Sequence, residues 1–502
     1  MSEKKKVILI QIIIMLFLYL FFTQIVPVVP FDGDDWYFTG SMRKPIPLWG
    51  AFNPSKVLPE VIQPLGGYIA AYLLTPIIND YVRSITLAEA FLIVSFMMLY
   101  FVFFYKYLKK RYFTSTTNAL ISEIFLCLTF FCVFKKYDDK SYFGFWASDL
   151  TCYFNYIVPG LLNMTMLFIM DQSTDFKVVY KKWTCNEKSF FWVGVYFAVF
   201  SSIQLNIILA GYCSWIIVRD FALLIIKKNS FKEFIQSKVI HLFIIIMWFI
   251  SLIYDANGMR AQMLQKSTDS VSFFSQPLSD VFLQSKALFS NFNVILLLFL
   301  LIMLTFIFVS IKQHRINISE INAIAGYVYL ILITFIYLML IYAKTGGIYS
   351  SRPDAMWAII SYYLVFLSIC FNIFINAFRK FNVSILLLIL TFFFAINQNR
   401  AFANGSYGYD YVTYKKIDNY IIKQVIDGDL SGKEVVEVHV PNEHSDSNWP
   451  HPYNMSDWLQ NTLYAHKVIR RRMKIIVVPD NSVNELFYYD ISDMEKFIDL
   501  ES

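Results

Sequence analysis

Charged residues are scarce in this sequence. Asp, Glu, Lys and Arg make up 16% of the 502 residues, whereas 57% are hydrophobic and 19% are aromatic. Soluble globular proteins carry about 25% charged residues, and a core cannot hide so large an apolar fraction. The scarcity of charge excludes a soluble globule and predicts an α-helical polytopic membrane protein.

Cysteine and histidine are also scarce. The six cysteines lie mostly inside or beside apolar runs, and none falls in the polar C-terminal portion. Neither their spacing nor that of the C-terminal histidines matches a zinc site. The sequence therefore predicts neither a disulfide framework nor bound zinc.

Internal repeats are not evident, so the sequence does not support an inverted-repeat transporter. The net charge of +6 does not indicate a nucleic-acid partner, because most Lys and Arg residues cluster at the ends of apolar runs. Lys and Arg in such places orient membrane helices.

Apolar runs predict about eleven transmembrane helices. The first, 7–29, follows three lysines, so the positive-inside rule places the N-terminus in the cytoplasm. The other ten predicted spans are 87–105, 119–134, 156–170, 190–203, 206–226, 239–253, 292–311, 321–342, 356–377 and 383–396. The apolar piece 65–78 is too short to span, and we expect it to be re-entrant or interfacial.

Two domains are predicted. A transmembrane domain, residues 1–397, carries outer loops at 30–84, 135–155, 254–291 and 343–355. Residues 398–502 are more polar and predict a small soluble α/β domain. Its predicted elements are a helix at 413–427 ending at Gly428, strands at 434–440 and 474–478, and a helix at 456–468 capped by Ser456.

A run of three arginines, 470–472, lies just before the second predicted strand. A solvated face is the simpler interpretation, and binding to anionic headgroups or to a glycan phosphate is the alternative.

One short stretch carries most of the chemistry. Phe31-Asp32-Gly33-Asp34-Asp35-Trp36 follows the first span directly and brings three carboxylates to the outer membrane surface. Asp and Gly commonly turn the chain and cap helices. Neighbouring acids that lose hydration also acquire the raised pKa of a general base. Both interpretations remain open at this point.

Other outer loops bring aromatic and basic residues to the same side. Trp36, Trp49 and Trp146 are candidates to stack on sugar rings, and Arg260, Lys344 and Arg352 are candidates to hold a phosphate. A carboxylate that deprotonates a hydroxyl, together with cations that hold a leaving phosphate, is typical of transfer from a lipid-linked phosphate.

Three short motifs resemble a known family. The N-terminal span followed by Asp34-Asp35-Trp36 resembles the GT-C glycosyltransferases. Trp146 with Tyr156 and Pro159 resembles the second-loop aromatic segment of bacterial Gtr-type, serotype-converting O-antigen glucosyltransferases. Residues 256–260, Ala-Asn-Gly-Met-Arg, resemble the Pro-Gly-Asn-x-x-Arg loop of their relatives, without its proline and with Gly and Asn exchanged. The C-terminal unit is similar in placement to the periplasmic tails of Gtr proteins.

This resemblance implies an inverting hexosyltransferase of the bacterial inner membrane with a periplasmic C-terminal domain. The donor would be an undecaprenyl-phosphate hexose, with glucose expected, and the acceptor an O-antigen (lipopolysaccharide) sugar on its lipid carrier. Asp34 or Asp35 would be the general base, and Asp32, Trp36, Trp146 and Tyr156 would contact substrate. No cofactor is obligatory, although Asp32-Gly33-Asp34 offers an alternative divalent-cation site.

A transporter or flippase of lipid-linked saccharides is the alternative function. Such a protein places ionisable residues along a path through the membrane. The candidates Glu89, Glu123 and Gln204 are few and lie near predicted span ends.

Overall fold

The structure is a computed structural model that describes residues 2–43, 54–135, 141–173, 175–227, 230–257, 277–312, 318–378, 387, 388, 391 and 402–487. Within these residues, nine helices are long and apolar enough to cross a membrane. The architecture is that of a helical polytopic membrane protein, which confirms the fold class at this level. The predicted span 383–396 lies almost wholly outside the described residues.

The N-terminal part of the bundle is helical from residue 3. Its helices are α1 Glu3–Ile25, α2 Gly33–Gly40, α3 Pro59–Ile78, α4 Tyr81–Arg111, α5 Thr116–Phe130, α6 Leu150–Met170, α7 Phe176–Lys182 and α8 Cys185–Val199. The predicted spans 119–134 and 190–203 correspond to α5 and α8, each of 15 residues. The predicted total of eleven spans stays a prediction.

The second part of the bundle surrounds one buried helix. Its helices are α9 Ile203–Lys227, α10 Phe231–Ala256, α11 Leu278–Ser290, α12 Val294–Lys312, α13 Ile318–Thr345 and α14 Trp357–Phe378. The span in α14 is 94% buried, whereas that in α10 is 17% buried. A helix that is apolar on all sides suits either a protein core or lipid, and here neighbouring helices enclose α14.

The bundle has one basic end. The start of α1 meets the start of α5 there, because the Thr116 hydroxyl donates to Glu3 Oε2 over 2.8 Å. The last residue of α4, Arg111, lies 3.7 Å from Asp171, which follows α6 directly. We call this the basic end; the opposite end holds α2 and the candidate site.

Helix α3 lies along the site end of the bundle. Before it starts, the Lys56 N–H donates to Phe200 O in the α8–α9 turn over 2.7 Å. Just after it ends, Asp80 forms an ion pair with Lys415 of the C-terminal part. Because both ends of α3 meet residues of the site end, α3 does not cross the bundle. The predicted piece 65–78 belongs to this longer helix of 20 residues.

The C-terminal part forms a small α/β unit. Its elements are α15 Tyr411–Leu430, β1 Val435–Val440, α16 Met455–Ala465, β2 Lys474–Pro479 and α17 Asn481–Phe487. The two strands pair in parallel, with Val435 opposite Lys474 and Val440 opposite Pro479. The predicted strands and helices are present with bounds that differ by up to three residues, and two of the predicted helix boundaries rested on residues with other roles.

The first of these boundaries is the end of α15, which runs through Gly428 to Leu430. A Cβ atom at Gly428 would collide with Val436, so glycine there permits close packing on β1 rather than ending the helix. The second is the start of α16. Asn454 occupies the N-cap position without a side-chain cap bond, and Ser456 lies inside the first turn.

The C-terminal unit packs tightly on α2. The Thr462 hydroxyl donates to Trp36 O over 2.5 Å, and the Gly33 N–H donates to Pro450 O over 3.0 Å. The unit therefore holds the start and the middle of the helix that carries the acid cluster.

We expect Gly40→Ala to loosen this packing. A Cβ atom at Gly40 would lie 2.6 Å from both Cα and Cβ of Thr462, so α2 and α16 must separate. Overpacking of this kind costs about 1–3 kcal/mol, which should lower the thermal midpoint of the detergent-solubilised protein. Gly211→Ala is the matched control, because its Cβ would meet side chains at ordinary distances of 3.5 Å or more. Equal midpoints for the two variants would contradict the prediction.

Candidate functional site

A cavity of about 750 Å³ opens at the site end of the bundle. Segments that are distant in sequence form its wall: the acid stretch, the start of α3, the start of α6, the ends of the α9, α10 and α13 helices that face the site, and the C-terminal unit. The polar and aromatic residues that carry the argument are Asp32, Asp34, Lys56, Ser148, Asp149, Tyr156, Gln204, Tyr349, Arg352, Tyr407 and Trp449. Its size lies in the range of small-molecule binding sites.

Helix α2 positions the acids. Asp32 is its N-cap, and its Oδ1 accepts from the Asp35 N–H over 3.2 Å. Acids in the first turn also interact favourably with the helix dipole. The cap role does not exclude a chemical role, because Asp32 and Asp34 both line the cavity while α2 uses Asp32 as its cap.

Asp35 has a different position from Asp34. It is fully buried, and both of its carboxylate oxygens are engaged. Oδ2 accepts from the Phe31 N–H over 3.0 Å, and Oδ1 accepts from the N–H and the hydroxyl of Thr151, each over 2.7 Å. Asp35 thus joins α2 to the start of α6. Of the two predicted bases, Asp34 lines the large cavity and Asp35 does not. Which of them acts as the base stays a prediction.

Burial raises the pKa of Asp35 from 3.8 to about 8, and the nearby charge of Asp149 adds to the rise, while the three donors act in the opposite direction. Burial also raises the pKa of Asp32, and the charges of Asp35, Asp149 and Asp34 reinforce this. The folded state thus binds protons that the unfolded chain releases near pH 4.

This shift predicts a pH dependence of stability. Because the folded pKa of Asp35 is raised, its contribution is fully present below about pH 4 and is lost as the pH rises toward about 8. We expect the thermal midpoint to fall over this window, and to fall less steeply in Asp35→Asn, in which the group no longer titrates. Parallel curves for the two proteins would contradict the assignment.

Arg352 faces the cavity from the segment between α13 and α14. Its Nη2 and Nε donate to the two oxygens of Asp354 over 2.6 and 3.1 Å, and Nη2 also donates to Ser148 Oγ over 2.6 Å. Its guanidinium carbon lies 5.7 Å from the ring centroid of Tyr156 and 5.5 Å from that of Tyr349.

These contacts fix the orientation of the Arg352 guanidinium. Within the described residues, none accepts a hydrogen bond from its Nη1. A planar guanidinium held on one edge by a carboxylate can present its other edge to an anion such as phosphate. Asp354 is 0% exposed, so Arg352 also neutralises a buried charge.

Lys344, another predicted phosphate ligand, does not join Arg352 in the cavity. Lys344 is exposed near the end of α13 and is not among the cavity-lining residues, although its neighbour Thr345 is. Arg260 lies outside the described residues, as does Trp49. Of the three basic residues predicted to bind phosphate, Arg352 lines the cavity in the part of the chain that the structure describes.

One of the predicted aromatic contacts lines the cavity, and two others are buried away from it. Trp36 is 0% exposed and Trp146 is 2% exposed, so the prediction that they are exposed stacking residues was wrong. Trp36 packs beneath the C-terminal unit, and Trp146 packs on Tyr142 with ring centroids 4.6 Å apart. Tyr156 does line the cavity.

Sequence reasoning missed several cavity residues, and three of them bear on the chemistry. Lys56 comes from the loop before α3, and Tyr407 and Trp449 come from the C-terminal unit. The Trp449 Nε1–H donates to the Tyr407 hydroxyl over 2.7 Å, so these two form one aromatic wall. No local pattern indicates that the C-terminal unit reaches the acids, because the contact joins positions more than 370 residues apart.

The described residues contain no group of three or more His, Cys, Asp or Glu side chains arranged to hold a metal ion. The divalent-cation alternative at Asp32 and Asp34 therefore has two carboxylates and, in this part of the chain, no third ligand of these types.

The chain matches no protein-family model, no curated protein and no solved structure.

Proposed function

We propose that this protein is a glycosyltransferase that moves a hexose from a polyprenyl phosphate to a hydroxyl of a lipid-linked glycan. One observation carries the proposal: the carboxylate of Asp34 and the cations Arg352 and Lys56 line a single cavity at one end of a membrane bundle. The proposed chemistry needs a carboxylate that takes a proton and cations that hold a phosphate, and the cavity contains both.

In the proposed reaction, Asp34 is the general base. Its carboxylate takes the proton of the acceptor hydroxyl while that oxygen attacks the anomeric carbon of the donor sugar. The bond between the anomeric carbon and the phosphate oxygen breaks, and its electron pair leaves with the polyprenyl phosphate. Attack opposite to the leaving group inverts the anomeric configuration.

Arg352 would stabilise the leaving phosphate. Its Nη1 edge is directed away from Asp354, and a charge-assisted bond there strengthens as negative charge develops. Lys56 adds a second cation on the wall formed by the loop before α3. Tyr407 and Trp449 offer aromatic surface of the kind that sugar rings stack on.

The proposed location of the reaction follows from charge. The basic end carries lysines and arginines at the ends of α4, α9 and α12. By the positive-inside rule that end is cytoplasmic, which puts the cavity and the C-terminal unit on the outer face. An undecaprenyl-phosphate hexose, glucose in particular, and an O-antigen acceptor fit that side in a bacterial inner membrane.

A transporter is the second candidate, and Glu89 favours it. This residue is buried in α4, and neither carboxylate oxygen has a hydrogen-bond partner among the described residues. An isolated acid inside a membrane helix is typical of ion or substrate paths. Glu89 does not line the large cavity, however, and two cavities described near the basic end hold about 20 Å³ each.

The test is transfer by the purified protein in liposomes. We expect label from an undecaprenyl-phosphate hexose to become covalently attached to a lipid-linked O-antigen acceptor, and to require both substrates. Label that crosses the bilayer without becoming attached would support the transporter instead. No attachment from any polyprenyl-phosphate hexose would refute the transferase.

A further inference from the structure

We propose that the C-terminal unit binds anionic phospholipid headgroups through a basic and aromatic patch made of Tyr72, Tyr464, Lys467 and Arg472. This binding is separate from the proposed transfer reaction and does not depend on it. The occupant is the headgroup layer of the leaflet in which α3 lies.

The patch is continuous. The Lys467 Nζ lies 5.4 Å from the ring centroid of Tyr72, on α3. The Lys467 N–H donates to Tyr464 O over 3.1 Å, and the Arg472 guanidinium lies 5.1 Å from the Tyr464 ring centroid. The Tyr72 hydroxyl donates to Ala465 O over 2.7 Å, which ties α3 to the end of α16.

Helix α3 sets the depth of this patch. Its next exposed apolar side chains are Leu73, 62% exposed, and Ile77, 77% exposed. Apolar side chains so exposed on a membrane bundle face lipid, and α3 lies along the site end without crossing the bundle. Lys467, in contact with Tyr72, is therefore adjacent to the lipid surface.

The chemistry of the patch suits that location. Tyrosine rings with their hydroxyls are enriched at the membrane interface, where basic side chains attract anionic headgroups. Lys467 and Arg472 are both exposed. The arginine run thus has divided roles, because Arg471 instead lies 3.4 Å from Asp429 and donates to its backbone oxygen.

Hydrogen exchange of the full-length protein in nanodiscs tests this inference. Amides of residues 463–473 should exchange about fivefold more slowly, or slower still, when phosphatidylglycerol replaces part of a phosphatidylcholine bilayer, because a basic side chain near an anionic surface is worth about that factor. High ionic strength should remove the difference. Equal exchange in the two bilayers would overturn the proposal.

Variants separate charge from structure. Lys467→Gln with Arg472→Gln should lose the dependence on phosphatidylglycerol, whereas Lys467→Arg with Arg472→Lys should retain it. Lys423→Gln is the matched control, because Lys423 is an exposed lysine on α15 outside the patch. Loss of the effect in the charge-conserving pair or in the control, or its persistence in the glutamine pair, would contradict the assignment.

Discussion

Asp34→Asn should reduce hexose transfer by about a hundredfold to ten-thousandfold, the range that a positioned general base contributes. Asparagine keeps the shape of the side chain but cannot take the acceptor proton. Asp34 lines the cavity at the first turn of α2, whereas the cap bond of that helix is made by Asp32. We therefore expect the loss in kcat, with normal membrane insertion.

Asp35→Asn is the informative comparison for this prediction. Both side-chain oxygens of Asp35 accept hydrogen bonds, one from the Phe31 N–H and the other from Thr151, whereas the nitrogen of an amide cannot accept one. This variant should lose thermal stability as well as activity, since an unsatisfied buried donor costs about 1–3 kcal/mol. Full transfer activity in Asp34→Asn would exclude Asp34 as the base, and an unchanged midpoint in Asp35→Asn would exclude the positioning role.

Arg352→Gln should destabilise the protein by about 3 kcal/mol, because it leaves the fully buried carboxylate of Asp354 without its counter-charge. Because one edge of the Arg352 guanidinium is exposed to the cavity, we expect a loss of stability at the lower end of the range for broken buried ion pairs. The measurement is the thermal midpoint in detergent, followed by transfer kinetics on the folded fraction.

A double variant separates stability from chemistry at this position. Arg352→Gln combined with Asp354→Asn removes both charges, so it should recover most of the lost stability without recovering transfer. Arg352→Lys keeps the charge but cannot form the bidentate bond to Asp354, so its thermal midpoint should lie between those of Arg352→Gln and the double variant. Normal transfer by the double variant would show that Arg352 serves the fold alone.

The secondary structure of the C-terminal unit can be predicted from sequence because it depends on patterns among neighbouring residues. Alternation of apolar residues predicts β1 and β2, and both strands are present within one residue of their predicted bounds. Gly428 misled because glycine is common just after a helix, whereas here it permits contact with Val436. That contact is between elements, so no local rule anticipates it.

The acid stretch likewise has features that are local in sequence and features that depend on distant contacts. Its position directly after an apolar run identifies it as a candidate site, but three adjacent carboxylates look alike in sequence. Their difference arises from partners far along the chain: Thr151 engages Asp35, and the cavity reaches Asp34. Trp36 and Trp146 were misassigned for the same reason, because a tryptophan that follows a span reads as an interfacial residue until a distant element covers it.

Hydropathy, charge placement and residue type are local properties, so they identify a membrane protein with an acid cluster after its first span without any knowledge of the fold. The fold is needed to show which acid lines the cavity, that Arg352 faces the cavity while it binds Asp354, and that the C-terminal unit forms one wall. Those outcomes depend on which surfaces bury one another, and burial is set by packing between segments that the order of residues does not place together.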